Sequence, residues 1–225
     1  MTGAAPGTVA LVGGSEWREK CSFDAELLDA AASDEVLVLP TAAAYEHPER
    51  AVETATRHFS GLGARVRGLM VLRRPDAEDP EAVQAMRRAR FVYIGGGSPL
   101  HLRSVLKDSA LWQALLEAWH GGAVVAASSA GAMVLTDPMV DPRGGAFTLG
   151  LGLIEQLAIV PHYDTWSHEK THRTVQLAPA GIPVVGIDEQ TALLRDPEGG
   201  WRVSGAGTVN VFLDRCPADL AALPG

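Results

Sequence analysis

Cysteine is scarce in this 225-residue chain, which has only Cys21 and Cys216. The two stand far apart and form no CxxC pattern, which excludes a disulfide framework, a zinc ribbon and a thioredoxin-like motif and fits a reducing cytoplasm. Long apolar runs are missing too. No stretch approaches the ~18 apolar residues that a bilayer span requires. The opening MTGAAPGTVALVGGSEW also lacks the basic start and long apolar core of a leader peptide, so a cytoplasmic protein without membrane contact is expected. Positive charge is in short supply: 19 Lys and Arg face 27 Asp and Glu, for a net charge of -8. Nucleic-acid binding rests on clustered Lys and Arg, so no nucleic-acid partner is expected. The short basic pieces RVRGLMVLRR and MRRAR lie among acidic stretches and read as solvated faces. Linkers, internal repeats and low-complexity tracts are likewise lacking, so residues 1–225 read as one α/β domain.

What is present is a repeated alternation. The runs GTVALVGG, EVLVLPTAAA, ARVRGLMVL and FVYIGGG each end in small or turn-forming residues before a helix-like segment, and GAVVAASSAGA closes the series. Apolar runs that do not alternate indicate strands covered on both faces, and their alternation with helices implies βαβ units around a mostly parallel sheet flanked by helices. HPERAVETATRHFSGLG starts at a proline suited to a first helical turn and ends at Gly61 and Gly63, which suit a helix stop; DPEAVQAMRRA repeats the pattern. After residue 135 the character changes. The segments LAIVPHY, IPVVGID, TALLRD and GWRVSGAGTVNVFL predict late strands and hairpins that extend the sheet.

Chemistry in such sheets gathers at the carboxyl ends of the strands. Three places qualify: Gly13–Gly14, Gly95–Gly97 and Ser128–Gly131. In AVVAASSAGAMVL a buried strand must turn at once into a helix with only small residues around two serines. A nucleophile elbow needs small neighbours two positions away on both sides, and Ser129 has Ala127 and Gly131 there. Ser128, flanked by Ala126 and Ala130, is the weaker candidate. The N–H of Ala130 would point towards an oxyanion, and the GGG of FVYIGGGSPLHL could bring a second backbone donor close. Neither GxxxxGK[ST] nor GxGxxG follows a strand, so nucleotide binding is not expected. A serine hydroxyl needs a base, and the base needs a carboxylate. His162 follows the apolar strand in AIVPHYD, and Asp188 and Glu189 follow the one in PVVGIDEQTALL; Asp137 and Asp141, beyond the elbow, compete for the acid role.

IGGGSPLHL, SSAGAM, VPHYD and GIDEQTAL, in this order and at these separations, resemble the S51 serine peptidases, the family of dipeptidase E and cyanophycinase, over roughly residues 8–212. The resemblance implies a fold like that of the class I glutamine amidotransferases. It implies Ser129 as nucleophile, His162 as general base and Glu189 as third member, with Gly96 or Gly97 and Ala130 forming the oxyanion hole. Family members commonly follow the glycines with a polar amide residue. This chain has Ser98 and Pro99 there, so substrate contacts at Ser98 are expected to differ. The resemblance also implies that a basic residue after the histidine, here Arg173, meets an acidic or carboxylate group of the substrate. A small peptide is then the expected partner, an Asp-X or β-aspartyl dipeptide being the implied choice. No cofactor is implied, and a homodimer is left open.

One motif competes. TWSHEKTHRT contains HExxH, which on a helix puts His168 and His172 on one face for zinc, with Glu169 to activate water. Lys170, Thr171, Ser167 and Arg173 make this a polar surface turn rather than the apolar setting of a zinc helix, and Glu189 is better used beside His162. The expectation is therefore a serine peptidase with no metal. A zinc peptidase built on HEKTH and a catalytically silent amidotransferase-like binding domain are the alternatives.

Overall fold

The computed structural model describes residues 5–225. Its centre is a set of parallel strands: β1 (Val9–Val12), β2 (Glu35–Leu39), β3 (Arg65–Gly68), β4 (Phe91–Ile94) and β5 (Val124–Ser128). Between and after them come α1 (Phe23–Ala31), α2 (Pro48–Gly61), α3 (Pro80–Arg88), α4 (Pro99–Leu106), α5 (Ala110–His120) and α6 (Ala130–Leu135). As expected, Pro48 opens α2, and Gly61 closes it, with Gly63 following at φ 80°. Asp79 caps α3 through its carboxylate, which accepts from the N–H groups of Glu81 and Ala82.

The chain continues through the two-residue strands β6 (Thr136–Asp137), β7 (Met139–Val140), β8 (Phe147–Thr148) and β9 (Ile154–Glu155), with β6 paired to β9 and β7 to β8. Then follow β10 (Ala158–Val160), α7 (His168–Gln176), β11 (Val184–Ile187), β12 (Thr191–Arg195), β13 (Trp201–Gly205), β14 (Val209–Leu213) and β15 (Cys216–Ala218).

The principal sheet has the order β13-β12-β1-β5-β4-β2-β3, with β12 antiparallel to both of its neighbours, so that it alone runs against the direction that β13 shares with β1 to β5. The unbroken apolar runs have a direct cause. Successive side chains of β1 enter opposite cores, Val9 and Leu11 joining the one built with α3 to α6 and Ala10 and Val12 the one built with α1 and α2. The late strands do more than extend this sheet. β12 and β13 extend it, while β10, β11, β14 and β15 form a second sheet in that order. The inward residues Ile159, Val185 and Val211 of this second sheet belong to the α3-to-α6 core. Among the described residues, no helix is long and apolar enough to cross a membrane.

Candidate active site

The carboxyl ends of β1, β5, β10 and β11 meet at one rim. At the end of β5, Ser129 has φ 50° and ψ -109°, a conformation that a side-chain-bearing residue holds only when its surroundings enforce it. They do so here. The Ser129 N–H donates to the Val12 carbonyl at 2.9 Å, and a Cβ at Gly131 would come within 2.9 Å of the Ile94 carbonyl oxygen. Only glycine lets α6 start so close to β4. Ser128, the alternative nucleophile, faces the other way: it is fully buried, and its Oγ donates to Glu16 Oε2 at 2.8 Å.

The two glycines ending β1 place the other partners. The His162 N–H donates to the Gly13 carbonyl at 2.6 Å, and the Gln190 N–H donates to the Gly14 carbonyl at 2.8 Å. Gly14 has φ 124°, and a Cβ there would lie 2.1 Å from His162 Cε1, so the imidazole occupies space that only glycine leaves open. His162 itself takes a left-handed conformation, φ 52° and ψ 38°, which turns its ring back over the sheet.

The result is a continuous hydrogen-bonded line. Ser129 Oγ lies 2.8 Å from His162 Nε2, and His162 Nδ1 lies 2.7 Å from Glu189 Oε1. An ionised carboxylate only accepts, so Nδ1 carries the proton it donates to Glu189. Nε2 is then the acceptor for the serine hydroxyl. The second oxygen of Glu189 accepts from Ser15 Oγ at 2.7 Å, and its N–H donates to Asp164 Oδ1 at 3.0 Å. The Ser15 hydroxyl, and after it the His162 ring N–H, hold the Glu189 carboxyl below the usual carboxylate range. His162 and Glu189 are 33% and 30% exposed, open enough for a substrate and covered enough to stay oriented.

The competing acids are engaged elsewhere. Asp137 accepts from the Gly150 N–H at 2.7 Å, and Asp188 accepts from the N–H and hydroxyl of Thr208. Asp141 forms a two-pronged ion pair with Arg143, which pulls its carboxyl down to about 2.

The glycine loop divides its labour. The Gly96 N–H donates to Glu16 Oε1 at 3.0 Å and so is not free for an oxyanion. Gly97 and Ala130, by contrast, line the pocket beside Ser129. Ala130 opens α6, so its N–H has no acceptor one turn back within the helix. Gly97 has φ 134°, and a Cβ there would strike the Ala42 carbonyl at 2.3 Å. Ser98 serves the backbone, its Oγ capping α4 by accepting from the His101 N–H at 3.3 Å. Of the three expected oxyanion donors, Gly97 and Ala130 thus share the pocket with Ser129, whereas the Gly96 N–H is engaged by Glu16.

The pocket is small, about 150 Å³, and its outer wall holds Pro142, Trp166 and Lys170. Lys170 Nζ sits 3.5 Å from the centre of the Trp166 ring and donates to the Pro142 carbonyl at 3.2 Å. Burial, aided by Arg173, pushes the Lys170 ammonium down in pKa. Arg173 itself is exposed and lies off the pocket, its stem against Gly145 in the loop between β7 and β8. The basic residue at the pocket is therefore Lys170, one helical turn away. Larger hollows exist; one of about 730 Å³ lies beside β3 and α3, and it holds no serine, histidine or cysteine.

The HExxH segment forms the expected helix, α7, capped by Ser167. His168 and His172 stack with ring centres 6.3 Å apart on an exposed face, and Glu169 is exposed beside them. Among the described residues, no group of three or more His, Cys, Asp and Glu side chains is arranged to hold a metal ion.

A mostly parallel sheet between helices, with a serine on a strained strand-to-helix turn and a histidine and carboxylate delivered from later strand ends, defines the class of α/β proteins with a hydrolase-type Ser-His-Glu arrangement. The model of peptidase family S51 matches residues 9–200, and the chain belongs to that family. A cyanophycinase from Synechococcus elongatus is 28% identical over 166 residues, covering 68% of this chain and 51% of the relative; the chain thus spans about half the length of the curated cyanophycinases it matches. Among solved structures, a peptidase from an acI-B1 Actinobacterium superposes with a TM-score of 0.85 at 29% identity, covering 96% of this chain and 94% of that one. A candidate peptidase E protein from Listeria monocytogenes EGD-e shares the fold with a TM-score of 0.69 at 18% identity, covering 90% of this chain and 100% of that one.

Proposed function

We propose that this protein is a serine peptidase that cleaves small acidic peptides through an acyl-enzyme. Ser129 Oγ attacks the scissile carbonyl while His162 Nε2 takes its proton; the same nitrogen then protonates the leaving amine. A water molecule, deprotonated by His162 in turn, hydrolyses the ester and restores the serine. Glu189 holds the ring in the reactive tautomer and stabilises its charged form. The N–H groups of Gly97 and Ala130 receive the tetrahedral oxyanion, a contribution worth about 10²–10³ in rate for each donor.

The observation that carries this reading is the unbroken line from Ser129 Oγ through the imidazole to Glu189, at 2.8 and 2.7 Å. Two further features bear on the substrate. The pocket beside Ser129 is small, about 150 Å³, and suits a short peptide segment. Lys170 is the cationic side chain at its wall and suits a carboxylate of the substrate. The likeness to cyanophycinases keeps a β-aspartyl bond in view beside the Asp-X dipeptides.

Turnover of Asp-X, β-Asp-X and neutral dipeptides tests the reading in wild type, Ser129→Ala and His172→Ala, each with and without a chelator. The expected result is hydrolysis of an acidic member, lost in Ser129→Ala and indifferent to chelator and to His172→Ala. Chelator-sensitive turnover that survives Ser129→Ala overturns it in favour of a zinc peptidase. Absence of turnover on every peptide overturns it in favour of a binding domain.

A further inference from the structure

The loop between β1 and α1 contains a dipeptide that touches the triad carboxylate, the glycine loop and the residue before the nucleophile, although no motif marks it. Ser15 Oγ donates to the Glu189 oxygen that His162 does not use, at 2.7 Å. Glu16 turns the other way and divides its carboxylate, Oε1 accepting from the Gly96 N–H at 3.0 Å and Oε2 from the buried Ser128 hydroxyl at 2.8 Å. One carboxylate thereby ties the glycine loop after β4 to the residue that precedes the nucleophile.

The dipeptide is itself held firmly. Ser15 and Trp17 both have positive φ, 50° and 59°, so the loop keeps two side-chain-bearing residues in the left-handed region on either side of Glu16. Trp17 is buried against Tyr93, ring centres 5.2 Å apart, and its ring edge would meet a Cβ on Gly95 at 3.4 Å. The Ser15 carbonyl accepts from the buried thiol of Cys21 at 3.7 Å. Gly96 completes the fit. A Cβ there would stand 3.4 Å from Glu16 Oε1 and 3.3 Å from Ser129 Cβ, so the carboxylate and the nucleophile flank the same bare backbone position.

We propose that Ser15 and Glu16 are positioning residues of this site: Ser15 fixes the rotamer of the triad carboxylate, and Glu16 locks the Gly96–Gly97 loop against the elbow so that the Gly97 N–H faces the oxyanion. This rests on the serine-peptidase reading. The two residues act on different stages. Glu16 acts on the oxyanion geometry, which the transition state uses and the bound substrate does not, so its loss lowers kcat and spares KM. Ser15 acts on the His162–Glu189 couple, so its loss reaches the protonation of the base. Without the serine proton the carboxylate charge is less dispersed and stabilises the imidazolium more, which moves the acid limb of kcat/KM to higher pH.

The test uses the full chain with Glu16→Ala, Glu16→Gln, Ser15→Ala and Ser15→Thr, each checked for an unchanged fold by circular dichroism and melting. Wild type is first labelled at Ser129 with a fluorophosphonate and assayed on the peptide it cleaves; an unlabelled, inactive wild type defeats the serine-peptidase reading itself. With an active wild type, Glu16→Ala is expected to lose about 10²-fold in kcat at constant KM and constant acid limb. Glu16→Gln, which still offers an acceptor to Gly96, recovers part of that loss and covers the case in which the alanine variant does not fold. Ser15→Ala is expected to lose about 10-fold with the acid limb raised, and Ser15→Thr, which keeps the hydroxyl, to restore both. Folded Glu16 variants with kcat within about twofold of wild type, or a Ser15→Ala acid limb that does not move, overturn the assignment.

Discussion

The inner and outer walls of the pocket are built on different principles. The inner wall, with Ser129, His162 and Glu189, rises from strand ends; main-chain hydrogen bonds and the glycines Gly131 and Gly14 fix the first two, and Asp164 and Ser15 hold the third. The outer wall, with Trp166 and Lys170 on and before α7 and the loop between β7 and β8, is polar and half-exposed. It is joined by side-chain contacts such as Lys170 to Pro142 and Thr174 to Gly145. On the proposed reading the chemistry belongs to the wall held by the strand ends and the recognition of substrate to the wall joined by side chains, a division by which one fold can accommodate different substrates.

If the division holds, damage to the inner wall lowers kcat and damage to the outer wall raises KM. The most severe test short of removing the nucleophile is Glu189→Gln. The imidazole would lose the acceptor that fixes its tautomer, and kcat is expected to fall about 10³–10⁴-fold. Next comes Gly14→Ala, whose methyl group would lie 2.1 Å from the His162 ring at a φ of 124°. A fall of about 10²-fold in kcat with a lower melting temperature is expected from the displaced ring. Glycine-like activity in Gly14→Ala would show that the ring has freedom the packing denies it.

The outer wall should respond differently. Lys170→Met keeps the stem over Trp166 and removes the charge, so KM for an acidic peptide is expected to rise about 10-fold with kcat nearly constant. Arg173→Met serves as the control and should stay within about twofold, because that side chain lies away from the pocket. The smallest effect concerns acid. The Asp141 carboxyl is lowered from an ordinary 3.8 to about 2 by Arg143. Its folded pKa lies below its unfolded one, so its stabilisation is complete above about pH 4 and is lost as pH falls towards 2. Hydrogen exchange in residues 141–148 is expected to quicken across that window in wild type and to show less change in Asp141→Asn. Arg143 is largely exposed, so solvent screening keeps the effect modest.

Much of the inner wall was legible in the sequence because its supports are local. SSAGA announces a strand-to-helix turn through its small residues, and VPHYD and GIDEQ each place a functional group directly after an apolar run. Choosing Glu189 over Asp137, Asp141 and Asp188 from the residues alone was not achievable, since all four follow strands or turns. The resemblance to the family separated them, and Glu189 is the one of the four that lies at His162 Nδ1. The Ser15–Glu16 contacts were illegible for a different reason: they span 174, 112 and 80 positions, and nothing in SEW signals its partners. The second sheet was hidden likewise, because apolar runs reveal strands but not which edge they join. Arg173 and Lys170 lie three residues apart on one helical face. Only the packing of Arg173 on Gly145 shows which of the two turns inward.

The first strand has an unusual schedule. Leu11 lies between Ala127 and Leu193 in the sheet, so β1 waits for two partners that both come far later in the chain. In a growing chain Ser129 is made before His162 and Glu189, so on the serine-peptidase reading Gly13 and Gly14 receive the histidine and the acid only after β11 has been added.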